Sequence, residues 1–418
     1  MIYRKELLYK MENDLEVTKN KTNSLKFNDK NEIEEQFLKN VEDNLKKAEV
    51  LNEFIASNPE ISGQEYKAAE RISNVLQEEG FTVTRNFAGM ETAFLAIYGE
   101  NNHKRKVAIL AEYDALPEIG HACGHSVSGS SSVLAGIAIK NLQNRINADV
   151  HIIGTPLEET DGGKVTMVKQ GIFDKYDMAI MLHMYDSNLV NPVTLALDSY
   201  TYTFYGKAAH ASAAPWDGIN AFNAAQLMFH AVDMLRQHVH EDVRMHGIIR
   251  YPGEAPNIVP EKCSLEMYCR SKSRKYLDEV VEKVNNCAKG AAIATGATYE
   301  KALTDQPFDN LKPNKTGLKV FEECYKQVGL ELNGDPLKLF GSTDAGNVSY
   351  ICPTFHGTIQ LAPEGTPIHS GSFEKYVHGD TAKQTMEKAA KIIGLQIIKI
   401  FTNDQLYNDM KKDFSEDL

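Results

Sequence analysis

Between Asn31 and Ile55 apolar residues recur at helical spacing, at Phe37, Val41, Leu45, Ala48 and Leu51, which predicts an amphipathic helix. A turn at "SNPEISGQE" leads into a second amphipathic helix, "EYKAAERISNVLQEEGF", that stops at Gly80. Strand-like runs follow: "TVTRNF", "TAFLAIYG", "KVAILAEYD", "HIIGTP" and "MAIMLHM". The "VAILA" core of the third is continuously apolar, as in strands covered on both faces. Helical stretches such as "SVLAGIAIKNLQNRI" and "GGKVTMVKQGIF" separate these runs. Alternating strands and helices predict a three-layer α/β domain with a mainly parallel sheet.

The pattern changes near residue 195. "TLALDSYTYTFYG" alternates like an antiparallel strand. A helix, the strands "RMHGIIRY" and "KCSLEMYCRS", a second helix and the strand "TYEKAL" follow. The strand–helix–strand–strand–helix–strand order predicts a small ferredoxin-like α+β unit. Residues 304–314 read as a return linker, after which the α/β style resumes. The expected organisation is a polar N-terminal tail (1–30), a catalytic-style domain in two segments (31–194 and 306–418), and a domain inserted between them (195–305).

At 418 residues the chain exceeds one simple core, consistent with two domains. Its net charge of −12 argues against nucleic acid as a partner, which would need a basic face. Six cysteines, at 123, 263, 269, 287, 324 and 352, lack the spacing of a disulfide framework and suit reduced thiols in the cytoplasm. No apolar run approaches the ~20 residues that span a bilayer, so no membrane partner is expected. The charged N-terminus has no apolar signal core, which speaks against secretion.

Polar residues cluster after strand ends, where open α/β sheets bind ligands: Asp114, Glu158, Glu159 and His183. With Cys123 and His125 of "HACGH" and the distant His369, they form a thiolate, imidazole and carboxylate set of the zinc type. Adjacent glutamates on an extended segment point apart, so one can bind a metal while the other faces substrate as a general base. Each residue alone has an ordinary explanation: an inert core thiol, a solvated glutamate pair, a core histidine, a loop histidine. Their joint occurrence favours metal. A Cys123 thiol nucleophile beside a histidine is a competing arrangement, but it leaves Glu158, Glu159 and His183 without jobs. "DGGK" lacks phosphate-loop spacing.

The segments "EYDALPEIGHACGH", "GTPLEETDGGKVTMVKQGIFDKYDMAIMLH", "GKAAHAS", "PNIVP" and "PIHSGSF" occur in order over most of the chain from about residue 48. Together they resemble the dinuclear-metal aminoacylase and carboxypeptidase family. Within it they resemble the amidohydrolase branch of hippurate, auxin-conjugate and aminobenzoyl-glutamate hydrolases, and above all β-alanyl-dipeptide hydrolase. The resemblance implies a homodimeric metal-dependent enzyme that cleaves the amide of an N-acyl amino acid, aminoacyl conjugate or dipeptide through a metal-activated water. It implies two divalent ions per subunit; thiolate and imidazole suit zinc, and manganese, cobalt or nickel are also accepted. Cys123 would bridge both ions, His125 and His183 would complete one site, and Glu159 and His369 the other. Glu158 would be the general base and Asp114 would orient a ligand. His210 in the inserted dimerisation (lid) domain would stabilise the oxyanion in the neighbouring subunit. Asn257 and Arg270 would hold the substrate's carboxylate or carbonyl, with Gly341 and Ser342 adding loop contacts. His121 receives no ligand role and is expected to support the loop or border the site. Ser126 stands where the branch usually has Asp or Asn, which points to an altered pocket. A non-catalytic peptide-binding or scaffold relative is the rival reading, and retention of the whole ligand set counts against it.

Overall fold

The structure, a computed structural model, describes residues 2–416 except 336, 339 and 340, with 2–29 described only as backbone. The side chains of the expected polar tail, other than Lys30, therefore lie outside the described residues. Helix α1 spans Ile2–Ser57, so the helical period read from Asn31 belongs to a longer helix. Helix α2 spans Tyr66–Glu78, and helix α3 spans His125–Ile139.

Ten strands lie among the described residues. They are β1 (Thr82–Arg85), β2 (Phe94–Ile97), β3 (Arg105–Ala111), β4 (Ala148–Gly154), β5 (Met178–Tyr185), β6 (Ala196–Tyr205), β7 (Arg244–Tyr251), β8 (Lys262–Ser271), β9 (Thr298–Leu303) and β10 (Thr354–Gln360). Six form one sheet in the order β1-β2-β4-β3-β5-β10. The β4, β3, β5 and β10 strands run parallel, and β1 and β2 add an antiparallel edge. Both faces of the central strands are covered, which is why the run "VAILA" of β3 is continuously apolar. On one face α1, α3 and the helix Gly379–Phe401 bury Phe37, Val41, Leu134 and Ile393. Phe37 lies so close to Gly394 that a Cβ there would meet its ring at 1.9 Å; glycine is what lets the two helices approach. On the other face Leu110, Ile153 and Met181 pack with Met167, Phe173 and Val348.

The remaining four strands make a separate antiparallel sheet, β7-β8-β6-β9. The helices Ala221–Leu235 and Arg274–Thr295 bury Met228 and Val280 with Phe204 and Leu265 of that sheet. This is the ferredoxin-like arrangement expected of the inserted stretch. Among the described residues no helix is long and apolar enough to cross a membrane. The sequence pattern did not announce β10, whose run "TFHGTIQ" mixes polar residues and glycine; its place beside β5 comes from tertiary pairing.

Candidate active site

The site forms at the carboxyl ends of β3, β5 and β10, as open parallel sheets favour. Parallel register pairs His356 with Met181 and Thr358 with His183, so side chains of this row point to one face. The chain leaves β3 through Glu112, Tyr113 and Asp114, then reaches α3 through the "HACGH" loop. Gly124 enters that helix at φ 86°, and a Cβ there would lie 2.5 Å from Met184. The turn therefore requires glycine between Cys123 and His125.

Cys123 Sγ stands 3.3 Å from His183 Nε2 and 3.3 Å from His369 Nε2. His125 Nε2 is 3.3 Å from His183 Nε2. The Nδ1–H of His125 donates to the Asp114 carbonyl at 3.1 Å, with Asp114 Oδ1 2.8 Å from the same nitrogen, and that of His183 donates to the Met184 carbonyl at 2.8 Å. Each histidine thereby turns Nε2 toward Cys123, as a metal ligand would. Burial and the neighbouring His125 push His183 down to about 3, so its ring is neutral. Burial raises Asp114, but His125 beside it and the Glu159 N–H pull it down to about 2. His369 adopts φ 60°, sparsely populated for a non-glycine residue, with its N–H on the Ala122 carbonyl at 3.0 Å.

Glu158 and Glu159 were expected on an extended segment. They lie instead in a turn, because Leu157 takes φ 68° and its carbonyl accepts from Gly162 N at 2.8 Å. Their carboxylate oxygens stay close, each within 4.8 Å of the other and of a His125 ring nitrogen. Glu159 Oε1 lies 3.4 Å from His369 Nε2 and is buried without a hydrogen-bond donor. Burial, with Glu112, Glu159 and Asp344 nearby, pushes Glu158 well above the usual carboxylate range.

The donor atoms form two triplets that share Cys123: Cys123, His125 and His183, and Cys123, Glu159 and His369, each within 4.8 Å. A soft sulfur, three imidazoles and a donorless buried carboxylate oxygen suit divalent transition metals, so the residues fit a two-metal centre. Burial pushes the Cys123 thiol well up, which makes it a poor nucleophile on its own and suits it to ionise only against cations.

Four participants were not read from the sequence: Glu112, Lys164, Asp344 and His356. Lys164 Nζ donates to Glu112 Oε1 at 2.6 Å and to Asp344 Oδ1 at 2.6 Å, with all three side chains fully buried. Burial alone would raise Glu112, yet Lys164 and the neighbouring histidines hold it down at about 2. Glu112, Glu158 and Asp344 also group like ligands, but the Lys164 ammonium already occupies that acidic nook. Glu112 sits two residues before Asp114, Lys164 ends "DGGK", and Asp344 lies in "GSTDAGN"; these positions were the available signal.

A cavity of about 320 Å³ opens over the cluster, walled by Tyr185, Thr194, Ser342, His356, Thr358 and Ile368 among others. Gly341 and Ser342 are on its wall. His210, Asn257 and Arg270 are not among its lining residues; they belong to the inserted unit. His210 and Asn257 are exposed, with Ala211 N donating to the Asn257 carbonyl at 3.0 Å. Arg270 is half-buried, and its Nε has no hydrogen-bond partner among the described residues. His121 is buried outside both triplets, and burial pushes it to about 4.

Residues 196–295 match the family described as a peptidase dimerisation domain. The chain is 32% identical to a Xaa-Arg dipeptidase of Mus musculus, over 87% of this chain and 88% of that protein. It is 26% identical to a p-aminobenzoyl-glutamate hydrolase polypeptide from Escherichia coli (strain K12), over 87% of this chain and 90% of the relative. Its fold resembles a dinuclear metal binding peptidase from the M20 family of Bacillus subtilis, with a TM-score of 0.65 and 18% identity over 84% of this chain and 98% of that one.

Proposed function

Because this chain belongs to the M20 peptidase family, we propose that it is a metal-dependent amidohydrolase of dipeptides or N-acyl amino acids. The observation that carries this reading is the pair of donor triplets sharing Cys123, with Glu158 buried beside them. Cys123 with His125 and His183 would hold one divalent ion, and Cys123 with Glu159 and His369 the other. Zinc suits this donor set, and manganese, cobalt or nickel are alternatives. When bound, the ions supply a Lewis acid for the scissile carbonyl and lower the pKa of the attacking water.

The chain's own groups do the rest. Glu158 takes the proton of the attacking water and returns it to the leaving amine. A carboxyl raised by its surroundings suits that second role as acid. Asp114 keeps His125 in the tautomer that frees Nε2. In the inserted unit, Ser212 N and Ala213 N donate to His210 Nδ1 at 3.3 and 3.2 Å. The ring proton therefore sits on Nε2, ready to donate to an oxyanion. His210 is exposed and away from its own cavity, which supports a role in the partner of a homodimer formed through residues 195–305. Arg270, whose guanidinium fork suits carboxylates, and Asn257 would hold the substrate's acid end there. Six free cysteines suit a cytoplasmic enzyme.

Glu158→Gln should abolish turnover while metal content stays at the wild-type level; full activity in that variant overturns the assignment of the base. Mixed dimers of His210→Ala and Glu158→Gln subunits should regain activity, since one of their two composite sites is intact. Fully inactive mixed dimers would exclude the role across the interface.

A further inference from the structure

His356 is a buried histidine of the cavity that this mechanism does not use. It is 5% exposed, and neither ring nitrogen has a hydrogen-bond partner among the described residues. Burying an imidazole with both nitrogens unpaired costs free energy that an apolar residue at the same place would avoid. Its ring packs at a tilt of 30° on that of His183, with centroids 5.7 Å apart, and lines the floor of the cavity. The same cavity is lined by Thr358, Thr343, Thr194 and Ser342, and the Ser342 Oγ has no partner among the described residues. The Thr358 hydroxyl, by contrast, is spent on the Ser187 carbonyl at 2.9 Å. With Glu159 Oε1 turned to the proposed metal site, the other buried unpaired side-chain atoms on the described lining belong to His356 and Ser342. The charged side chains lining the cavity are Glu158 and Glu159, with neither Lys nor Arg among the described lining residues. The Lys338 ammonium stands over the ring of the lining residue Tyr185, its Nζ 5.2 Å from the centroid, so the stretch of wall at His356 suits a group that donates hydrogen bonds.

We propose that His356 is a specificity-determining residue that hydrogen-bonds an amino group on the acyl half of the substrate. The inference rests on the amidohydrolase reading and narrows it: the preferred substrate is an aminoacyl compound with a free amine, and a plain acyl group is disfavoured. A neutral imidazole supplies one acceptor to such an amine and one donor to a neighbouring oxygen. A site built to pair a polar group discriminates strongly against an analogue that lacks it, because its own buried groups then go unpaired.

The test compares alanyl-arginine with N-propionyl-arginine, which differ only by the amino group. Wild-type protein loaded with zinc should favour alanyl-arginine in kcat/KM by at least tenfold. His356→Phe, which keeps a ring against His183, and His356→Leu should lose that preference while retaining hydrolysis of the propionyl compound and the wild-type zinc content. His356→Gln, which restores a donor and an acceptor, should recover part of it. An unchanged ratio in a folded apolar variant, or no preference in the wild type, overturns the proposal. Calorimetric binding of both compounds to zinc-loaded Glu158→Gln protein, with and without His356→Phe, reads the same preference without turnover. Binding selectivity in the absence of any wild-type hydrolysis would refute the amidohydrolase reading and leave His356 as the selector. Failure of both compounds to bind would refute the role of His356.

Discussion

Replacing Lys164 by Met tests how the floor of the site is held together. Lys164 Nζ lies 2.6 Å from both Glu112 Oε1 and Asp344 Oδ1, and its backbone N–H donates to Asp344 Oδ2 at 2.9 Å. At an effective dielectric of about 20, one such contact represents about 6 kcal/mol of gross Coulomb attraction. Most of that is offset by desolvation of the three groups, so the net value of the intact triad is small. Removing the cation is different, because two carboxylates then stay buried without their partner, next to Glu158. Breaking a buried pair in this way costs about 3–5 kcal/mol. That is a large share of the roughly 5–15 kcal/mol that stabilises a domain. The assay is urea unfolding of metal-free protein followed by circular dichroism, with wild type and Lys164→Met compared at pH 7. Adding Glu112→Gln and Asp344→Asn to Lys164→Met should recover most of the loss, since the uncompensated charges are gone. A Lys164→Met protein within about 0.5 kcal/mol of wild type, the range of ordinary surface substitutions, would refute this account of the triad.

Phe37→Ala should cost about 3–5 kcal/mol in the same assay, since the ring is fully buried between α1 and the helix bearing Gly394; a loss below about 1 kcal/mol would show that α1 is not part of the core. His151 is held neutral: its Nε2–H donates to Asn101 Oδ1 at 3.0 Å, its Nδ1 accepts from the Tyr176 hydroxyl at 2.8 Å, and burial pushes it down to about 4. The unfolded chain therefore takes up this proton first, and stability is lost as pH falls from the ordinary histidine value toward about 4. Between pH 7 and pH 5 the loss is roughly 2 kcal/mol; His151→Gln should show a shallower slope over that window, and parallel slopes would contradict the assignment. Added zinc should raise the melting temperature of the metal-free protein through preferential binding to the folded state. His369→Ala should lower the zinc stoichiometry by one, and Cys123→Ala should weaken both sites; equal loss of both ions in His369→Ala would speak against two separate triplets.

The local pattern of the chain determined a good deal. Period-2 and continuous apolar runs marked β1 to β9, and the switch of style near residue 195 marked the inserted ferredoxin-like sheet, because side-chain periodicity follows directly from strand and helix geometry. The ordered motifs also picked out Cys123, His125, Glu158, Glu159, His183 and His369, which the structure gathers at one place. Ligand chemistry is a property of residue types, and residue types are legible one by one. Partnership is not. Lys164 meets Glu112 and Asp344 across 52 and 180 residues of chain, and only the crossovers of a parallel sheet bring them together. A lysine in "DGGK" looks like any surface lysine until the fold buries it against two carboxylates. Glu158 and Glu159 were placed by a turn that begins at a left-handed Leu157, and not by an extended segment. His356 sat in a run with no clear strand period, and it gained meaning only when β10 paired with β5 and turned that ring into the cavity. Tertiary structure thus decided which buried charge neutralises which, and which polar groups are left open for a substrate, because both depend on contacts between segments far apart in the chain.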